Sequence, residues 1–357
     1  MSRLIRAVID SGALRHNLQT LRARARGARV MAVVKANAYG HGLVQSARAL
    51  AQADAFAVAR LEEGLVLREH GISGPIVLLE GVFSAAQLRE AARHGLDLVV
   101  HDSLQLDLLA RDPHARRLVL WVKIDTGMNR LGFRPEDFPA ALQRLESLRP
   151  RPLEIRLMTH LARADDSPEM TRRQLERFQH ASRGLGYVTS IANSAGLLGE
   201  TPVGGEWVRP GLALYGGSPF AERTGAALGL RPAMRLETSV IAVRQVPRGE
   251  TVGYGGAWRA GRDSRIAIAA AGYGDGLPRG LPNGAPVLVD GERAPLCGRV
   301  SMDMIAIDVT DLAPVRVGTP VVLWGEGLAV EELARCAGTI PFELLCGVSQ
   351  RVPLELR

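Results

Sequence analysis

Residues 30–42 read VMAVVKANAYGHG, and the reading of the whole chain turns on them. Val-Met-Ala-Val-Val is a continuous apolar run, the pattern of a strand covered on both faces. It stops at Lys35, and a turn-rich Ala-Asn-Ala-Tyr-Gly-His-Gly follows. Similar runs recur along the chain: AFAVA (55–59), PIVLLE (75–80), LDLVV (96–100), LVLWVKID (118–125), LEIRLMTH (153–160), YVTSIAN (187–193) and WVRPGLALYG (207–216). Between them lie amphipathic helical patterns such as GLVQSARALAQA, LEEGLVLREHG, SAAQLREAARHG, PEDFPAALQRLESL and PEMTRRQLERFQHASRGLG. Several end in glycine, as a left-handed C-cap prefers. Eight such strands with helices between them fit a closed, TIM-like (β/α)8 barrel better than an open doubly wound sheet. The polar residues that interrupt the runs fall at their C-terminal ends: Lys35, Arg130, His160, Asn193 with Ser194, and Arg209. Barrel active sites are built on that face.

From about residue 225 the texture changes. LETSVIAVRQVPRGETVGYGG, SRIAIAAAGYGDG, APVLVDGERAPLCGRVSMDMIAIDVTD and GTPVVLWGEG alternate apolar with polar residues and are broken by glycine and proline. That is antiparallel patterning. The expected α/β architecture is therefore a barrel over residues 10–225 and a mostly antiparallel β domain over 226–357, joined by a strand from residues 1–9.

Composition narrows the function classes. The chain has 357 residues, 46% hydrophobic and 23% charged, which is ordinary for a globular protein. No apolar stretch approaches the ~20 residues that span a bilayer. The opening MSRLIRAVIDSGALRHNL carries charge throughout and lacks the apolar region of a secretory signal, so a cytoplasmic location is expected. The net charge of +7 raises the question of nucleic acid. The excess is arginine spread along helical segments, and only 4% of residues are aromatic, which argues for a solvated surface instead. Cys297, Cys336 and Cys346 are odd in number and follow no metal-ligand spacing; reduced thiols and no metal are expected.

A strongly hydrated ammonium at the end of a buried strand calls for a reason. Partial burial lowers an ammonium pKa and frees amine to condense with a carbonyl. A Schiff base with pyridoxal phosphate is the best-known use, and it requires a phosphate cradle nearby. Tyr39, the Asn193-Ser194-Ala195-Gly196 turn and the Gly211-Leu212 backbone offer suitable hydroxyls and N–H groups.

At this point VVKANAYGHG resembles the lysine motif of the alanine racemase family, which depends on pyridoxal 5′-phosphate. The similarity continues in order through KIDTGMNRLGF (123–133), MTHLARADD (158–166), NSAG (193–196), VRPGLALYG (208–216), VGYGGAW (252–258), GYGDGLPRG (272–280) and GRVSMDM (298–304). The resemblance implies interconversion of L- and D-alanine by two bases acting from opposite faces of a pyridoxal-phosphate external aldimine. Lys35 would serve the D-isomer and Tyr254 the L-isomer. His160 would hydrogen-bond the tyrosine, lowering a phenol pKa that starts near ~10. Arg209 would back the histidine and face the pyridine nitrogen. Arg130 would contact the cofactor's phenolic oxygen and the substrate carboxylate, and Met302 would offer its backbone N–H to that carboxylate. Tyr39, Ser194, Gly211 and Leu212 would bind cofactor; Asp165, Tyr273 and Arg279 match entrance positions. Lys123 matches a lysine that is carbamylated in some relatives and orients the arginine.

The family further implies a homodimer in which the tyrosine comes from the partner subunit, with D-alanine going to peptidoglycan or alanine being catabolised. Two positions depart from the pattern. Gln350 stands where many relatives have a phosphate-binding tyrosine, and Gly253 where some have tyrosine. Two related architectures compete. A decarboxylase of basic amino acids would need a cysteine near the cofactor, and neither Cys297 nor Cys346 is expected there. A carrier built from the barrel alone would lack residues 225–357.

Overall fold

In the computed structural model, residues 4–112, 118–149 and 151–357 are described. The first strand, β1 (Arg6–Ile9), stays outside the barrel. It leads into a helix, Ser11–Arg24, whose N-terminus is capped by Asp10 accepting from the Ala13 N–H at 3.0 Å. Eight strands then follow: β2 (Arg29–Val33), β3 (Ala55–Val58), β4 (Ile76–Leu78), β5 (Leu96–Val100), β6 (Val119–Lys123), β7 (Glu154–Met158), β8 (Thr189–Ser190) and β9 (Trp207–Val208). They pair in parallel in that order, and β9 returns to β2 with Val208 opposite Val30, closing the barrel. Every residue of β3, β4 and β6 is buried, as the unbroken apolar runs require.

The last two barrel strands are much shorter than their apolar runs. The chain leaves the ladder after Ser190 and after Val208, and the Arg209 N–H instead reaches the Ala192 carbonyl at 2.8 Å. Toward the strand starts, Trp121 meets Trp207 edge-on at 5.9 Å, and the Arg156 guanidinium lies 5.1 and 5.4 Å from the two rings. Glu154 holds that guanidinium at 2.7 Å. Cation–π stacking of this kind favours a partly desolvated arginine.

The second domain is organised on β10 (Met234–Val246), whose first residues alternate buried and half-buried. The hairpin β11 (Thr251–Val252) and β12 (Trp258–Arg259) follows, then β13 (Ser264–Ala269), β14 (Pro286–Val289), β15 (Glu292–Pro295), β16 (Ile305–Asp308), β17 (Pro320–Trp324) and β18 (Leu354–Leu356). The sheet runs β15-β14-β17-β10-β1-β18, with β13 and β16 branching from β10. β1 is antiparallel to β10, with Val8 opposite Arg235, and parallel to β18, with Val8 opposite Glu355. The N-terminal strand thus belongs to the sheet of the second domain. Two helices, Val330–Cys336 and Pro341–Gly347, face the barrel. Glu331 accepts from the Ser218 and Gly225 N–H groups at 2.7 and 2.8 Å, and the Leu345 carbonyl lies so close to Gly40 that a Cβ there would sit 2.1 Å away.

Asn17 is the joint between these parts. Its wholly buried amide donates to the carbonyls of Leu214 and Arg231 at 2.9 and 2.8 Å and accepts from the Arg231 N–H at 2.8 Å. Asn17→Ala strands three backbone groups without partners, which costs about 2–4 kcal/mol. Equilibrium urea unfolding checks this: a loss below about 1 kcal/mol means water or relaxation satisfies those groups.

Candidate active site

Beyond β2 the backbone does something unusual. Ala36, Asn37, Ala38 and Tyr39 all adopt the left-handed conformation, with φ of 52–53°. Left-handed backbone costs roughly 1–2 kcal/mol for each non-glycine residue, with asparagine the most tolerant here. Four such residues in succession persist only where their surroundings hold them. Glu63 accepts from the Ala36 N–H at 2.7 Å and the Asn37 side chain accepts from the Leu43 N–H at 2.8 Å. The Ala38 N–H donates to the Val34 carbonyl at 2.9 Å, and Tyr39 stacks on Tyr215 with ring centroids 4.8 Å apart. The turn brings Lys35 and Tyr39 into one cavity.

That cavity, about 550 Å³, opens at the C-terminal ends of the barrel strands. Small-molecule sites typically occupy ~300–1,000 Å³. Lys35, Lys123, Arg130 and Arg209 supply four cationic side chains to its wall, against the carboxylates of Glu80 and Asp165. His160, Ser194, Gly211 and Leu212 complete the part of the wall anticipated from the sequence.

Arg209, only 4% exposed, is fixed on all sides. It donates to Ser190 Oγ at 2.6 Å, to the Thr159 carbonyl at 2.6 Å and to the Ile191 carbonyl at 3.3 Å. Burial lowers its guanidinium pKa to about 10. Its Nη2 also lies 3.4 Å from His160 Nδ1. A guanidinium has no lone pair to offer, so Nδ1 accepts. Burial first, then Arg209, Lys123, Arg130 and Lys35, hold the imidazole pKa well below its ordinary value. His160 is therefore neutral, with its proton on Nε2. Gln174 fixes the backbone behind it, donating to the His160 carbonyl at 3.0 Å.

Burial, reinforced by Arg209 and Arg130, lowers Lys123 to about 8. About a tenth of the amine is then free at pH 7 and about half near pH 8, the form that adds carbon dioxide. Opposite, Ser194 Oγ accepts from the N–H groups of Gly211 and Ala213 at 3.0 and 3.4 Å, which leaves its own proton to donate. Burial pushes the Tyr39 phenol above its usual range, so it too remains a donor. A Cβ on Gly211 would stand 2.3 Å from the Tyr39 hydroxyl, so this cradle exists only because the residue is glycine. A lysine at one side, hydroxyl donors at another and an excess of positive charge fit pyridoxal phosphate, a phosphate ester with an aldehyde.

Other residues anticipated from the sequence do not join this cavity. Tyr254 sits at the tip of the β11–β12 hairpin, 70% exposed, and Met302 is 53% exposed. Tyr273 and Arg279 also lie on the second domain, outside the cavity wall. Only Asp165 of the three entrance positions lines it. Gln350 is exposed and outside it.

The sequence reading missed Phe342 and Cys346, carried into the wall by the helix Pro341–Gly347. The expectation that Cys346 lies away from the lysine is corrected: both line the same cavity. No local pattern in the sequence announces this contact, which depends on the bare backbone of Gly40 letting the Leu345 carbonyl approach.

A barrel-plus-sheet protein with a cavity lysine, a neutral histidine and a cradle for an anion has the architecture of an enzyme that acts on small molecules. Comparison with known proteins gives the particular family. The model of the alanine racemase N-terminal domain matches residues 9–219, and that of the alanine racemase C-terminal domain matches 233–356. An alanine racemase of Nitrosococcus oceani is 50% identical over 348 residues, 97% of this chain and 98% of that protein. A catabolic alanine racemase of Pseudomonas putida is 47% identical over 352 residues, 98% of each. The crystal structure of the biosynthetic alanine racemase of Pseudomonas aeruginosa superposes with a TM-score of 0.96 at 44% identity, covering all of both chains. The chain belongs to the alanine racemase family, a family of amino-acid isomerases. Among the described residues no helix is long and apolar enough to cross a membrane.

The neutral state of His160 has a consequence for stability. Its folded pKa lies below the unfolded value of about 6.5, so below that pH the unfolded chain binds a proton that the folded chain refuses. Stability accordingly falls as pH drops through 6.5, at up to about 1.4 kcal/mol per pH unit per proton. Urea unfolding at pH 7 and pH 5.5 is expected to show a smaller acid loss for His160→Gln than for the wild type. An unchanged loss means that the imidazole is charged in the fold.

Proposed function

We propose that this chain interconverts L- and D-alanine in the cytoplasm, holding pyridoxal 5′-phosphate through Lys35 and working as a homodimer with sites shared between subunits. The observation that carries this reading is the division of the expected site: the cavity gathers Lys35, Arg130, His160 and Arg209, while Tyr254 stands exposed on the second domain. When bound, the cofactor supplies an electron sink that acidifies the α C–H of an amino acid.

The residues then divide the work. Lys35 Nζ takes or returns the α proton on the face that serves the D-isomer. The partner subunit's Tyr254 does so through its phenolic oxygen on the opposite face. His160 Nε2–H donates to that oxygen and steadies it as a proton acceptor, while the Arg209 charge keeps the histidine from binding a second proton. Arg209 would also hold the ring of a bound cofactor, its fixed positive charge disfavouring a second proton nearby. Arg130 and the Met302 backbone N–H of the partner subunit orient the substrate carboxylate, Arg130 also meeting the cofactor's phenolic oxygen.

Tyr39 and Ser194 hydroxyls with the Gly211-Leu212 backbone hold the phosphate. A carbamate on Lys123 would put a negative charge beside Arg130, and the free amine it needs is favoured by burial among cations. Asp165, with Tyr273 and Arg279 of the partner subunit, lines the entrance. Support for the shared site comes from the rigidity of the exposed loops. The Tyr273 and Gly274 N–H groups donate to the Ser301 and Met302 carbonyls at 3.0 and 2.9 Å. Arg351 bridges Asp275 and Asp303 at 2.7 Å each. The destination of the product is supply of D-alanine to peptidoglycan or catabolism of alanine; the relatives include one described as biosynthetic and one described as catabolic.

Absorbance spectra and racemisation assays on three proteins test the reading. The wild type is expected to show the near-visible band of lysine-bound cofactor and Lys35→Ala to lack it. Tyr254→Phe is expected to keep the band and lose racemisation about 10²–10⁴-fold in both directions alike, as an equilibrium between enantiomers requires, while exchange of the α proton with solvent is lost chiefly from L-alanine. A wild type that carries cofactor but racemises neither isomer of alanine overturns it.

A further inference from the structure

We infer that His41 is a positioning residue whose Nδ1–H fastens the left-handed turn through Ala36–Tyr39 and thereby sets how Lys35 and Tyr39 enter the site. The inference rests on the proposed role of Lys35 in holding the cofactor. His41 is wholly buried, and its Nδ1 lies 2.8 Å from the Tyr39 carbonyl and 3.1 Å from the Ala38 carbonyl. Its backbone N–H donates to the same Ala38 carbonyl at 3.0 Å. Two carbonyls of successive left-handed residues thus converge on one ring nitrogen. Carbonyl oxygens only accept, so the proton of a neutral ring belongs on Nδ1.

The other ring nitrogen, Nε2, is buried with no hydrogen-bond partner among the described residues. Burial lowers the ring to about 4, so it stays neutral and carries one proton. The side chain's hydrogen bonds therefore all go to the turn. The rest of the ring packs 4.6 Å from Tyr215, which stacks on Tyr39 at 4.8 Å. Tyr215 in turn donates its hydroxyl to the Val33 carbonyl at 2.9 Å, two residues before Lys35. The ring and its neighbour clamp the turn from both ends. A leucine would fill the space; only a donor in the Nδ1 position closes the turn on itself. Tight positioning of a reactive group is where such a clamp acts, since small misplacements are expensive in affinity and rate.

Two substitutions separate clamping from packing in the full-length holoprotein. His41→Asn keeps an N–H near the Nδ1 position but loses ring volume. His41→Leu keeps volume and loses the donor. Affinity for pyridoxal phosphate, from cofactor retained on dialysis and the lysine-bound absorbance band, is expected to fall by about tenfold or more for His41→Leu and within about threefold for His41→Asn. The thermal midpoint is expected to rank the other way, leucine at or above asparagine. Cofactor affinity that follows the thermal ranking, or His41→Leu binding as tightly as wild type, overturns the inference. Should either variant fail to fold, the wild type with 15N-labelled histidine decides: an Nδ1–H tautomer at His41 is required, and an Nε2–H tautomer overturns it. The band in wild type and its absence in Lys35→Ala report on the Lys35 reading separately, whichever way the His41 variants fall.

Discussion

The site is governed by positive charge gathered where water is scarce. Arg209 cannot shed its proton, and burial holds it against two backbone carbonyls in Thr159 and Ile191 and the Ser190 hydroxyl, none of which neutralises it. Among the described residues no carboxylate hydrogen-bonds that guanidinium, so its charge is felt in the cavity. His160 answers by staying neutral, and Lys123 by holding its proton less tightly than an ordinary lysine. An anionic guest relieves the same tension, which is why a phosphate ester and an amino-acid carboxylate suit this cavity. A buried charge left without a carboxylate partner costs stability. Here that cost is tied to binding.

The barrel was legible in the sequence because its strands are buried on both faces and read as apolar runs of the right length. VMAVVK, LDLVV and LVLWVKID lie on β2, β5 and β6 within a residue or two. The runs YVTSIAN and WVRPGLALYG overstate their strands, since apolar residues past Ser190 and Val208 pack without pairing and carry the chain to Ser194 and Gly211. The polar residues at strand ends were equally legible as a set: one lysine ending an apolar run ordinarily pairs or reaches solvent, but several such residues share the C-terminal face of the barrel.

Other features were hidden. Nothing in Ala-Asn-Ala-Tyr announces four left-handed residues; asparagine alone tolerates that region, and the conformation is imposed by Glu63, Tyr215 and His41 from outside the segment. Local propensity cannot report a conformation that distant residues enforce. Phe342 and Cys346 were hidden for a related reason. A seven-residue helix carries no signal of which domain it will face, and only the bare backbone at Gly40 makes room for it.

The proposed division of labour gives each half of the chain a distinct duty: the barrel holds cofactor and one base, and the second domain offers the other base to a neighbouring copy. Hybrid dimers of Lys35→Ala and Tyr254→Phe chains test this most directly. Each parent is inactive, but a hybrid unites the intact Lys35 of one chain with the intact Tyr254 of the other in one of its two sites. Random assembly makes half of the dimers hybrid, so the shared-site account predicts recovery of about a quarter of wild-type activity on mixing with subunit exchange. No recovery from a population shown to contain hybrids would contradict it, and would place both bases within a single chain.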